Sequence, residues 1–114
     1  MKLLFGVLLF VLMHVAVWWS TNAQFIEGVS RARALTLSVA LALPITLLAF
    51  NASRLVYESL EASAWSARFV GFGVSYLVFP ILTWVFLGES MFTVKTMMCI
   101  TLSCMILGIQ VFWA

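Results

Sequence analysis

The residue best placed to do chemistry in this chain is His14, which lies midway along the first apolar segment. No Asp, Glu, Lys or Arg occurs between Leu3 and Trp19. A charge at the centre of a bilayer costs about 2.5–3.5 kcal/mol on insertion scales, so a titratable group there indicates function by default. Histidine is also the side chain that takes up and releases a proton most readily near neutral pH.

Three interpretations of His14 remain open: a hydrogen bond to a neighbouring helix, coupling to a proton or solute, and metal binding. Trp18 lies one helical turn further along the same face. Candidate hydrogen-bond partners on other segments are Ser38, Ser75 and Tyr76. Such a bond between membrane helices contributes only ~0.6 kcal/mol on average. We therefore group His14, Trp18, Tyr76 and Arg68 as candidate solute- and proton-coupling residues.

Arg68 is the second charged residue that the sequence places inside an apolar segment. If its helix begins near Ala62, Arg68 lies about two turns in, which is deep for a headgroup anchor. One prediction is a structural ion pair with Glu58 or Glu61, or a side chain that extends outward to the membrane surface. The alternative is a cation that faces a cavity and receives anions.

The composition requires a membrane environment. Hydrophobic residues make up 65% of the 114 residues and charged residues 9%, against roughly 25% charged in soluble domains. A spanning helix needs about 20 apolar residues, and backbone groups in hydrocarbon are satisfied within a helix. The sequence therefore predicts an all-α membrane protein: one domain over residues 1–114, a four-transmembrane-helix bundle in a lipid bilayer. The predicted helices are 3–19, 34–50, 65–87 and 94–113.

No enzyme is expected, because the sequence contains no Ser/His/Asp set, no phosphate loop and no paired carboxylates within a helix. Cys99 and Cys104 are five residues apart on one helix and point to different faces, so neither a disulfide between them nor a metal site is predicted. No cofactor, no catalytic residue and no nucleic-acid partner is expected. The first segment is interpreted as a retained helix, not as a cleaved signal peptide, because its apolar core is long and contains His14.

The third segment has a pattern of small residues. Ala67, Gly71 and Ser75 recur every four positions and line one face, an arrangement that favours close helix packing in membranes. Gly71, Gly73 and Pro80 also mark places where the helix can bend, as a transporter requires. Both a packing groove and a bending helix are compatible with this pattern.

The turn after this segment is predicted from Gly88, a typical helix C-cap, and from Glu89, which would precede the fourth helix. In the fourth segment, Gly108 follows Cys104 by four positions and predicts a second close-packing face. The predicted topology places three basic residues on each side of the membrane, so charge gives no preferred orientation. These residues are Lys2, Arg54 and Arg68 on one side, and Arg31, Arg33 and Lys95 on the other.

The chain resembles the small multidrug resistance family of the drug/metabolite transporter superfamily. Residues 80–92 resemble the end of that superfamily's third helix and its Leu-Gly-Glu turn, residues 71–73 its glycine-lined bend, and residues 25–31 its first loop. The resemblance implies an antiparallel, dual-topology homodimer whose central cavity exchanges cationic compounds for protons.

The same resemblance places His14 where the family has its essential glutamate, and Arg68 and Gly71 near its aromatic pair. A neutral imidazole does not attract cations as a carboxylate does, so export of cations is not expected. Arg68 is expected instead to set a preference for neutral or anionic solutes. The leading expectation is a proton-coupled transporter of the plasma or inner membrane that crosses it several times. The alternative is a non-transporting accessory or scaffold subunit of a larger membrane complex.

Overall fold

Four α-helices joined by short turns make up the fold in the computed structural model, which describes residues 1–113. They are α1 (Lys2–Asn22), α2 (Arg31–Ser59), α3 (Ala64–Leu87) and α4 (Val94–Phe112), with one 3-10 turn (Ala23–Phe25) after α1. Each of the four is long and apolar enough to cross a membrane. The predicted all-α four-helix bundle is confirmed, and the chain is a small multi-pass membrane protein.

Three of the helices have a short polar side chain at the N-cap position. The hydroxyls of Ser30, Ser63 and Thr93 each accept a hydrogen bond from the backbone N–H three residues later. These bonds satisfy N–H groups that the first helical turn leaves without partners. At the end of α3, Gly88 adopts the left-handed conformation (φ 71°), so the predicted C-cap is confirmed. Glu89 lies in the same turn, ahead of the N-cap residue Thr93.

Helix α2 differs most from the prediction, because it continues to Ser59 whereas the apolar pattern ended near residue 50. Its 29 residues correspond to a length of about 43 Å. The polar extension is held by packing, since Ala52 and Val56 are 0% exposed. An ion pair of 3.3 Å between Lys2 Nζ and Glu58 Oε2 also joins the end of α2 to the start of α1. Because α2 exceeds the ~30 Å hydrocarbon thickness, its last turns reach the membrane surface or the helix tilts.

Helix α1 is the centre of the bundle and packs against both α2 and α3. The buried core contains side chains from these three helices: Phe10, Met13, Ala52, Val56, Ala67, Val70 and Val74. Helix α4 packs mainly against α3, and the rest of its surface is exposed. Most outward-facing side chains are large and apolar, which suits contact with lipid.

Candidate functional site

His14 contacts the backbone of α3 and none of the side chains predicted as its partners. Its Nε2 lies 2.8 Å from the carbonyl oxygen of Gly71. Because a carbonyl can only accept, Nε2 carries the proton, and in the neutral ring Nδ1 has the free lone pair. The predicted partner Ser38 is engaged elsewhere, since its hydroxyl lies 2.8 Å from that of Ser20. Every residue has a backbone carbonyl, so residue types alone could not identify Gly71 as the hydrogen-bond partner of His14.

Gly71 allows this contact because it has no side chain. A Cβ at Gly71 would lie 3.1 Å from Cε1 of Phe10 on α1, so the phenyl ring occupies the space next to the glycine. The ring of Phe10 also stacks with the imidazole of His14, with centroids 6.2 Å apart and an interplanar angle of 19°. Glycine at position 71 thus lets α1 approach α3 closely enough for His14 to reach the backbone.

His14 and Arg68 line one cavity of about 140 Å³ between α1, α2 and α3. Ser53 contributes a hydroxyl to its wall, and the other lining residues are Phe10, Met13, Ala49, Ala67, Gly71 and Phe72. A cavity of this size with the polar groups of His14, Arg68 and Ser53 in a largely apolar wall can hold water or a small solute. The structure therefore brings together the two ionisable residues that the sequence placed inside apolar segments.

Arg68 does not form the predicted ion pair with Glu58 or Glu61. Glu58 binds Lys2 and Arg54 instead, and among residues 1–113 no carboxylate lies within ion-pair distance of Arg68. The guanidinium carbon of Arg68 lies 4.5 Å from the centroid of the Phe72 ring, a cation–π contact. Because α3 begins at Ala64, Arg68 lies about one turn inside the helix and not two. The predicted ion pair is therefore wrong, whereas the exposed Arg68 side chain agrees both with extension towards the membrane surface and with a cation that lines the cavity.

Trp18 and Tyr76 lie away from the His14 cavity. Trp18 is only 1% exposed, and its Nε1–H donates a 3.0 Å hydrogen bond to Oγ1 of Thr83 on α3. Tyr76 is 57% exposed on the outer surface of α3. Five residues separate Tyr76 from Gly71, which turns it by about 140° around the helix. Sequence reasoning missed Thr83, whose only signal is a hydroxyl within a long apolar helix.

The small residues of α3 face two different helices. Gly71 meets Phe10 of α1, whereas a Cβ at Gly73 would lie 2.8 Å from Cγ of Leu107 on α4. Ser75 is half-buried, and α3 continues as one helix through Pro80. On α4, nothing lies within 4 Å of a Cβ built at Gly108. Gly71 and Gly73 therefore allow close packing within this chain, and Gly108 faces open space.

Comparison with known proteins gave no match to a family, to a curated protein or to a solved structure. Across residues 1–113, no three His, Cys, Asp or Glu side chains come together as metal ligands. Cys99 and Cys104 are free and exposed on α4. The candidate site consequently depends on its geometry: a titratable ring and a guanidinium beside a cavity within a multi-pass membrane protein.

Proposed function

We propose that this protein is a small transporter that moves a solute across the membrane in a proton-coupled way, as a homodimer resembling the small multidrug resistance family. The observation that carries the proposal is the cavity lined by both His14 and Arg68. Titratable groups that line cavities in membrane spans are the usual parts of proton relays in transporters.

The two side chains have different roles in the proposal. Arg68 is a permanent cation, so it gives the cavity a preference for neutral or anionic solutes. The Nδ1 atom of His14 accepts a proton while Nε2 keeps its bond to Gly71, and the cavity then carries a second positive charge. An anionic solute binds more tightly in that state, and loss of the proton weakens its binding. Proton and anion thus move together.

Flux through reconstituted protein tests this proposal. Proteoliposomes with an imposed pH gradient are screened with small anionic, neutral and guanidinium-type solutes, and we expect flux of an anionic or neutral solute. His14→Ala should reduce that flux at least tenfold because the coupling group is removed. Thr101→Ala is the control, since that exposed hydroxyl bonds only to Met97 of its own helix. Flux that is absent for every solute, or unchanged in His14→Ala, contradicts the proposal.

The accessory-subunit alternative has one observation in its favour, which is the exposed surface of α4. Within the chain, α4 packs chiefly on α3, and Met98, Leu102, Met105 and Ile109 remain at least half exposed. A second copy of the chain or a foreign subunit would each cover these side chains. The partner that covers α4 therefore distinguishes the two functions.

Crosslinking through one introduced cysteine distinguishes the two. Leu102 belongs to this surface, lies near the midpoint of α4 and is 57% exposed, so a cysteine there would meet its own copy in either a parallel or an antiparallel α4 pair. In a chain that carries Cys99→Ser and Cys104→Ser, we expect Leu102→Cys to give a covalent dimer on oxidation in membranes, and the same chain without Leu102→Cys to give none. A foreign chain that copurifies in stoichiometric amount, with no crosslinked dimer, would favour the accessory function.

A further inference from the structure

A groove of about 590 Å³ runs between α2 and α3, at the end of the bundle where α2 ends and α3 begins. Its walls come from Ala49, Phe50, Ser53, Arg54 and Tyr57 on α2, and from Ala64, Ala67 and Arg68 on α3. The groove is shallow because four of these residues are alanine or serine, whose side chains are small. It opens on the outer surface of the bundle, where Phe50 is 68% exposed and faces the lipid.

Polarity changes along the groove. Tyr57 and Arg54 lie towards the end of α2, whereas Phe50 and Ala49 lie one to two turns further into the helix. From Ala49 to Tyr57 the groove follows α2 for about 12 Å. A phospholipid has the same order of polarity, with a charged headgroup at the surface and acyl chains below it.

The charge of the groove is positive. Arg54 and Arg68 line it, and no residue of its walls carries a carboxylate. Arg54 contacts Glu58 through Nε at 3.2 Å, and that carboxylate is shared with Lys2. Arg68 rests over the ring of Phe72, 4.5 Å from its centroid, and has no acidic partner among the described residues. Two guanidinium groups that line one groove favour an anionic partner, because arginine binds phosphate in a forked geometry.

We propose that this groove binds an anionic phospholipid, with its phosphate between Arg54 and Arg68 and one acyl chain along Phe50 and the alanines. A soluble anion would gain nothing from the apolar lower half of the groove, whereas an acyl chain covers it. The groove shares four lining residues with the His14 cavity, so the bound lipid closes that cavity on its membrane side; they are Ala49, Ser53, Ala67 and Arg68. Lipid binding at this site does not depend on whether the protein transports a solute.

Lipid titration by native mass spectrometry tests the proposal. The full chain in neutral detergent is titrated with phosphatidylglycerol and with phosphatidylcholine of the same acyl chains. A basic residue near the surface favours anionic lipid by roughly fivefold, so two arginines should give a preference of roughly 25-fold. The double variant Arg54→Gln/Arg68→Gln should lose this preference to within about twofold, because it removes both basic contacts.

The matched control is Arg31→Gln/Arg33→Gln, which removes the same charge at the opposite end of α2 and should keep the preference. Arg68→Lys should retain most of it, and circular dichroism should show unchanged helix content in every variant. Soluble glycerol phosphate, which carries the charge without the acyl chain, should not displace the lipid. An equal loss in both double variants, a preference that survives Arg54→Gln/Arg68→Gln, or displacement by glycerol phosphate would each overturn the proposal.

Discussion

Replacing Trp18 with alanine should lower the free energy of unfolding of the bundle by about 3–5 kcal/mol, the range seen when a large buried aromatic side chain is removed. Trp18 is 1% exposed, and its ring packs against Trp19 and Phe86, with centroids 5.2 and 5.6 Å away. The substitution would also leave the hydroxyl of Thr83 without the indole N–H. Unfolding by a denaturing detergent, followed by circular dichroism, measures the effect.

The matched control is Trp65→Ala, because Trp65 is 74% exposed at the start of α3 and removing its ring leaves no internal cavity. We expect that substitution to change the free energy of unfolding by about 0.5 kcal/mol or less. Thr83→Val separates the hydrogen bond from the packing and should cost about 0.6 kcal/mol, the average for such bonds in membranes. Equal losses for Trp18→Ala and Trp65→Ala would show that Trp18 is not a core residue.

The second large effect is expected at Gly6, where α1 packs closely against α2. A Cβ at Gly6 would lie 2.9 Å from Cγ2 of Val56, 3.1 Å from Cβ of Leu55 and 3.3 Å from the backbone nitrogen of Val56. The β-branched side chain of Val56 has little freedom to move away, and the backbone has less. Gly6→Ala should therefore force the helices apart and cost about 1–3 kcal/mol, with Gly6→Val costing more.

Gly108→Ala provides the comparison for Gly6→Ala, since a methyl group at Gly108 meets nothing within 4 Å. In the isolated chain we expect it to be neutral or to stabilise α4 by about 1 kcal/mol or less, because alanine favours a helix over glycine. The same detergent unfolding measures both variants. Comparable stability of Gly6→Ala and wild type would contradict the tight α1–α2 contact.

The lengths of the apolar segments were sufficient to predict the number and type of the helices. In a bilayer, a chain of this composition can satisfy its backbone hydrogen bonds only within helices. Those lengths were not sufficient to predict the end of α2. Arg54 and Glu58 interrupt the apolar pattern there, and only the contacts of Ala52 and Val56 with the rest of the bundle show why the helix continues. Local polarity predicted a loop, and tertiary packing extended the helix.

The candidate site was predicted in part, for a related reason. His14 and Arg68 were identifiable because ionisable side chains are rare in apolar segments, and the structure places both beside one cavity. Their partners were not identifiable. His14 bonds a backbone carbonyl, and Arg68 contacts an aromatic ring one turn away. Tryptophan is a residue type typical of membrane interfaces, but the hydrogen bond between Trp18 and Thr83 places this tryptophan inside the bundle.

In the proposed transporter, His14 acts by taking up a proton and not only by its hydrogen bond to Gly71. Glutamine at position 14 tests this most directly, because its amide N–H can still donate to the Gly71 carbonyl while its side chain cannot be protonated near neutral pH. The measurement is pH-driven solute flux in proteoliposomes that contain wild type or His14→Gln at equal density. We predict that His14→Gln folds with wild-type helix content and loses at least nine-tenths of the flux. Flux at the wild-type level in His14→Gln would contradict this role and leave His14 as a structural link between α1 and α3.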